Sequence, residues 1–296
     1  MVKAIDIWTN LFLPESMQKY WVDVMATHKE MEGAANLMKL SDRILAGYTV
    51  EEYVAVMDEL GIEMAFIPTF KMGSYYKKQT LIWDISVDEV KKVVDKRPDR
   101  FRGLYGINPY LKREGTEELE NVIKDYGFVG AHMHPYGFAP FNDRIWYPFF
   151  ARCEELGVPI LSQVGHSGER LPSAYGRPIL IDDVALDFPE LKIVACHTGW
   201  PWVEELIAMA WKHPNVYIAT SAHLPRYWDP ALVQFINTRG QDKVMWATDW
   251  PITTPDRNLS QLEELNLREI PKAKLLRENA LKVFTLLKKV PDQGQA

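Results

Sequence analysis

Short apolar runs alternate along this chain with longer segments whose apolar positions recur every three or four residues. The runs are Val2–Ile7, Met64–Pro68, Phe101–Ile107, Phe128–Met133, Val158–Val164, Lys192–Cys196, Val216–Thr220 and Val244–Ala247. Runs of this length without strict alternation predict strands covered on both faces, as in a parallel sheet. The segments between them predict helices. Thr49-Val-Glu-Glu52 and Ser86-Val-Asp-Glu89 carry the pattern in which an N-cap hydroxyl and a third-position carboxylate satisfy each other's free amides. The first opens a helix to Leu60 with Gly61 as its stop, and Gly127 and Gly157 stop helices over Glu117–Tyr126 and Trp146–Leu156. Eight such repeats without a glycine-rich dinucleotide turn predict one closed (β/α)8 TIM-type barrel over residues 1–296 rather than an open doubly wound sheet.

One connection breaks the rhythm. Roughly 40 residues separate the first strand from its helix, far above the ~2–6 usual in such units. This insertion, residues 11–48, carries Met17, Tyr20, Trp21, Met25, Met31 and Met38. They predict an extra helix pair packed on the barrel, placed where a lid would cover the mouth. Residues 272–296 predict a C-terminal helix outside the barrel and a frayed end over Pro291–Ala296.

Composition narrows the function classes. The formal charge of −6, from 34 basic and 40 acidic residues, opposes binding to a phosphate backbone, so no nucleic-acid partner is expected. Two cysteines, Cys153 and Cys196, cannot form a disulfide framework, and both read as core packing. No apolar stretch approaches the ~18 residues that span a bilayer, and the start lacks a signal-peptide run. The expectation is a cytoplasmic enzyme without a membrane partner, acting on a small molecule; association into a homo-oligomer stays open.

In a parallel barrel the residues at the carboxyl ends of the strands face the site. Here those ends gather Trp8 and Asn10, then His132, His134 and Tyr136, then Gln163 and His166, then His197 and Trp200, His223, and finally Asp249 and Trp250. Five of the seven histidines fall in this set. Imidazoles converge in this way for acid–base work or for holding a metal. Asp249, His197 and His134 are the candidate catalytic groups. Asn10, Gln163, His166 and His223 supply polar contacts, and Trp8, Tyr136 and Trp200 supply aromatic wall. Arg226 and Arg257, following the last two strands, are candidate anchors for a substrate carboxylate.

Gly130-Ala-His-Met-His-Pro135, Glu155-Leu-Gly-Val-Pro-Ile160, Leu191-Lys-Ile-Val-Ala-Cys-His-Thr-Gly199 and Ala247-Thr-Asp-Trp-Pro251 resemble, in order, segments of the amidohydrolase-related branch of the metal-dependent hydrolases. So do His213-Pro-Asn-Val-Tyr217 and Glu278-Asn-Ala280. That branch includes aminocarboxymuconate semialdehyde and resorcylate decarboxylases. The resemblance implies a metal bound by Asp-x-His-x-His on the first strand, by histidines on the fifth and sixth, and by an aspartate on the eighth. This chain has Trp8 and Asn10 after Asp6, and Gln163 on the fifth strand; only His197 and Asp249 match. Amide oxygens are poor zinc donors and an indole offers no acceptor. The expectation is therefore no tightly bound metal. A zinc or other divalent ion on a rearranged set of His166, His197 and Asp249 is the alternative.

Without a metal, Asp249 would act as general base, with His197 and His134 as proton donor or electrophile. That leads to hydrolysis of an activated C–O or C–C bond in a small cyclic or aromatic carboxylic acid. Decarboxylation of an aromatic or enoic acid, which the resemblance suggests, is the alternative. A binding protein that kept the barrel and lost turnover is the third reading.

Overall fold

A computed structural model describes residues 3–289. Strands β1 (Ala4–Asp6) and β2 (Ile62–Pro68) are followed by a small antiparallel hairpin, β3 (Lys71–Gly73) and β4 (Leu81–Asp84). Then come β5 (Phe101–Gly106), β6 (Phe128–Met133), β7 (Ile160–Gln163), β8 (Ile193–Cys196), β9 (Val216–Ala219) and β10 (Val244–Met245). Eight of these form one parallel sheet in the order β1-β2-β5-β6-β7-β8-β9-β10. The sheet closes on itself just beyond the strand ends. Ile7 N donates to Trp246 O at 3.4 Å, Asp249 N to Trp8 O at 2.8 Å and Asn10 N to Trp250 O at 2.9 Å, and Thr9 bridges Trp250. The (β/α)8 barrel read from the pattern is the observed fold. Val2 and Pro291–Ala296 lie outside the described residues.

Every residue of β5, β6 and β8 is buried, because helices cover one face and the barrel interior the other. Both capping boxes form: Thr49 opens the helix Val50–Leu60 and Ser86 opens Val87–Lys96. Gly61 and Gly157 end their helices in the left-handed region, at φ 72° and 67°. Gly106 has a different duty. A Cβ there would lie 1.6 Å from Thr69 O, so only glycine lets β5 approach the turn that leaves β2.

The insertion folds as a train of short helices between Pro14 and Leu45, rather than one clean pair. Met17, Tyr20, Trp21, Met25 and Met31 are buried beneath it. The hairpin is the second departure from expectation. Trp83 on β4 stacks on Tyr20 at 5.6 Å and meets Trp21 edge-on at 5.0 Å, so hairpin and insertion bury each other's aromatic faces. Among the described residues no helix is long and apolar enough to cross a membrane.

Candidate active site

The carboxyl ends of the strands open into a cavity with an empty volume of about 820 Å³, part of it continuous with solvent. Its polar floor is made by Asn10, Gln163, His197 and Asp249, each of them at least 90% buried. Asp249 Oδ1 accepts from Asn10 Nδ2 at 2.7 Å, and the same amide donates to Trp250 O at 2.9 Å. Asn10 Oδ1 takes the Trp8 indole N–H at 3.2 Å. Both ends of the Asn10 amide are thus committed. Asp249 Oδ2 faces His197 Nε2 at 3.9 Å.

His197 is set by Ser221, whose Oγ accepts the His197 backbone N–H at 3.1 Å and lies 2.9 Å from Nδ1. The hydroxyl oxygen has a second lone pair beside the one the amide engages, so Ser221 can pair with either tautomer of the ring. When Ser221 donates to Nδ1, the ring proton lies on Nε2, toward Asp249. Trp8 stacks on the other side of the His197 ring at 4.9 Å and meets His132 edge-on at 4.5 Å. Below the floor, Asp6 ties the last strand to the first: Oδ1 accepts from Thr248 N at 3.0 Å and Trp8 N at 3.2 Å, and Oδ2 from Thr248 Oγ1 at 2.6 Å.

The backbone here is held in uncommon conformations. His197, Thr198, Ala222 and Asp249 have φ of 62°, 56°, 65° and 55°. Non-glycine residues in that region cost about 1–3 kcal/mol each and persist where packing over-determines them. Three of the four, His197, Ala222 and Asp249, line the cavity.

Burial dominates the electrostatics. It holds the Asp249 carboxyl well above the usual carboxylate range; the Asn10 hydrogen bond opposes it and the Glu169 and Asp6 charges add to it. Burial also pushes Asp6 up to about 7, against its Thr248 and Trp8 bonds. It pushes His197 down to about 3, with His223 adding to the effect, and His223 down to about 4, with His166 adding. His132 is likewise driven well below 6.5 by burial. On this floor burial thus favours the protonated form of the acid and the neutral form of the imidazoles.

These shifts have a stability consequence with opposing signs. Unfolded, His197 takes a proton below its ordinary value of 6.5, whereas folded it does so only near 3. Native stability therefore falls as pH drops through that window, by about 1.4 kcal/mol per pH unit for one such group. Asp6 works the other way: between 3.8 and about 7 the native state keeps a proton the unfolded chain has released, so its burial cost grows as pH rises. His197→Gln is expected to flatten the acid limb of the stability profile between pH 4 and 6.5 by about one proton's slope. Urea unfolding across that range measures it, and an unchanged slope would show that the ring is not kept neutral by the fold.

One charged wall residue was not foreseen. Glu169, in the loop after β7, lines the cavity with its side chain 12% exposed. Its Oε2 accepts from Ser167 Oγ at 2.6 Å and lies 3.9 Å from His134 Nε2. Burial would raise its pKa, but the His134 contact and the Ser167 hydroxyl outweigh that and hold it near 2. Trp21, Met31, Met38, Phe70, Met72 and Trp83 supply the apolar wall. Five of these come from the insertion and the hairpin.

The other expected residues divide into three groups. His166, His223 and Trp200 stand at the rim, with Trp200 49% exposed and His166 edge-on to it at 5.5 Å. Trp8, His134 and Tyr136 sit behind the wall, each less than 2% exposed. The Tyr136 hydroxyl donates to Gly165 O at 3.1 Å, so it braces the β7 loop instead of meeting a ligand. Arg226 and Arg257 are exposed and do not line the cavity. They fall on the outer turns of Pro225–Tyr227 and Pro255–Glu263. Among the described residues, no Lys or Arg lines the cavity.

The donor set does not suit the divalent ion that the sequence resemblance implies. Among the described residues no group of three or more His, Cys, Asp or Glu side chains converges as ligands would. The rearranged set is not assembled, because His166 is at the exposed rim while His197 and Asp249 lie on the floor. Just after β1 the two ligand positions hold an indole and an amide already bonded to each other. A structural or catalytic zinc site needs at least three protein donors.

Comparison with known proteins agrees with the fold and the family. The gamma-resorcylate decarboxylase of Polaromonas sp. (strain JS666 / ATCC BAA-500) is 24% identical over 290 residues, covering 79% of this chain and 86% of its own. An uncharacterized TIM-barrel protein of Bordetella bronchiseptica superposes with a TM-score of 0.77 at 23% identity, over 96% of this chain and 98% of the other. A dihydroxybenzoic acid decarboxylase of Polaromonas sp. JS666, solved with bound manganese and 2-nitroresorcinol, superposes at 0.65 with 21% identity over 97% and 98%. A divalent ion thus accompanies the barrel in that relative. The amidohydrolase family profile matches residues 74–286, and the chain belongs to that family as one of its enzymes, on the hydrolase or carboxy-lyase side.

Proposed function

We propose that the protein is a carboxy-lyase of a small aromatic or enoic carboxylic acid, with Asp249 as proton donor and with no step that depends on a tightly held metal. The observation that carries this is the placement of the Asp249 carboxyl, anchored by Asn10 and facing His197, on the floor of an aromatic cavity whose wall has no Lys or Arg. A substrate carboxylate entering that space loses hydration and meets no guanidinium. Its ground state is raised, while departure of neutral carbon dioxide relieves the cost.

The bookkeeping of the step is simple. Asp249 gives its proton to the carbon that bears the carboxylate. The C–C bond to the carboxylate then breaks, its electron pair restores the π-system, and carbon dioxide leaves. The Asp249 carboxylate is stabilised as it forms by Asn10 and by the His197 Nε2 proton, and solvent at the rim beside His166 and His223 returns the proton. Gln163 orients the polar atoms of the substrate. Residues 11–48 act as the lid: Trp21, Met31 and Met38 close the cavity. The lid is tied to the Glu169 loop by Arg170 N donating to Glu30 O at 2.8 Å and by the Arg170–Glu32 ion pair. Similarity to gamma-resorcylate decarboxylases supports the reading.

Hydrolysis with Asp249 as base, the first expectation from the sequence, fits less well, because burial disfavours the ionised carboxylate that a base requires. A panel of hydroxybenzoates and enoic acids in deuterated water separates the two. The expected result is one carbon dioxide per acid consumed and one deuterium at the vacated carbon, with turnover surviving chelation and dialysis. A product heavier by one water, with no gas released, would overturn the reading. Turnover abolished by chelation and restored by manganese would overturn its metal-free part.

A further inference from the structure

Besides the acid on the floor, the cavity holds a second polar point that the reaction above does not use. Glu169 has one oxygen taken by Ser167 at 2.6 Å, and beyond its own amide no described residue donates to the other. Behind it His134 is wholly buried with neither ring nitrogen hydrogen-bonded, and the Trp83 indole N–H in the adjoining wall is unpartnered as well. Buried polar atoms are rarely left without partners, and each unsatisfied one costs about 1–3 kcal/mol. An unpartnered indole and a half-satisfied carboxylate in one wall, with an unpartnered imidazole behind them, describe a place completed by a ligand.

We infer that Glu169, backed by His134 and Ser167, is a specificity-determining residue that admits substrates presenting a hydroxyl or amino donor to this end of the cavity and rejects those presenting a second carboxylate. The inference rests on the cavity being the substrate site, as proposed above. A ring hydroxyl can donate to the remaining Glu169 oxygen and accept from the Trp83 indole in the same wall. A second carboxylate would be desolvated against a fixed like charge with no Lys or Arg in the wall to offset it. Discrimination of this kind comes from repulsion as much as from attraction.

Calorimetric titration of the full-length protein with 3-hydroxybenzoate and with isophthalate tests this without needing turnover. The two probes share a ring and a carboxylate, and differ only in the group placed across the ring. The wild type is expected to bind 3-hydroxybenzoate at least about tenfold more tightly than isophthalate. Glu169→Gln is expected to shrink that ratio by about tenfold, through gain for isophthalate, while Glu169→Asp, which keeps the charge, retains most of it. No binding of 3-hydroxybenzoate, no preference in the wild type, or a ratio unmoved by Glu169→Gln overturns the inference. The wild-type ratio decides even if the variants fail to fold. If the ratio behaves as expected but no acid yields carbon dioxide, the carboxy-lyase reading falls and this one stands.

Discussion

Asp249→Asn is expected to lower kcat by about a thousandfold while leaving the protein as stable as the wild type, or more so, at neutral pH. General acid catalysis by a placed side chain is worth about 10²–10⁴ in rate, and the amide keeps the shape of the carboxyl but has no proton of comparable acidity to give. Stability should move the other way. Burial raises the Asp249 pKa far above its ordinary value, so the folded state at pH 7 bears a cost that the unfolded chain escapes by ionising. The neutral amide does not carry that cost. Loss of turnover with an unchanged or higher urea midpoint is thus the signature of a strained acid kept for chemistry. Single-turnover measurement on the best acid of the panel, with unfolding run in parallel, checks both halves. Retention of more than about a tenth of wild-type kcat would remove Asp249 from the proton-donor role.

The barrel could be read because its signals are local and repeated. An apolar run that must be covered on both faces looks the same wherever it occurs, and Thr49, Ser86, Gly61 and Gly157 mark helix ends through contacts within a few residues of themselves. The hairpin could not. Its strands have only three and four residues, too few to show a period. What holds them is Trp83 packing on Tyr20 and Trp21, more than sixty positions away in sequence. The insertion shows the same divide: its apolar content announced that it would be buried, but the breakup into short helical pieces follows the surface beneath it.

The site divides along a similar line. Asp249, His197, Asn10 and Gln163 stand where strands end, and in a parallel barrel that position alone points a side chain into the mouth. Glu169 lies beyond the end of β7, in a loop whose course is set from outside. Gly165 has φ 106°, with the Trp200 carbonyl 2.4 Å from where a Cβ would be, and His166 N donates to that carbonyl at 2.7 Å. Nothing local to residues 165–170 encodes that contact. The arginines show the converse error. Arg226 and Arg257 do follow strands, but each loop turns at once into a short helix that presents them to solvent. The empty cationic position then changes the chemistry, from gripping a carboxylate to disfavouring it.

Restoring the two missing imidazoles should create a metal site where this chain has an indole and an amide. In Trp8→His/Asn10→His the new rings would start from backbone positions already within one hydrogen bond of Asp249 and in stacking contact with His197. Four donors would then surround one point, against two in the wild type, and tight binding requires at least three. Metal analysis after dialysis against a weak chelator is expected to find about one zinc or manganese per chain in the double variant and less than about a tenth of that in the wild type. The exchange has a cost, because Trp8 is fully buried and a histidine leaves part of its volume empty. Large-to-small core changes of this size cost on the order of 2–4 kcal/mol, which bound metal would offset at saturating concentration. Thermal unfolding with and without the ion should therefore show a metal-dependent rise in the variant alone. A wild type that retains a full equivalent through dialysis would mean that Asn10 and Gln163 are ligands after all. The hydrogen bonds from Asn10 to Asp249 and from Trp8 to Asn10 would then have to be broken in the loaded protein, and the chemistry would pass from the acid on the floor to the ion.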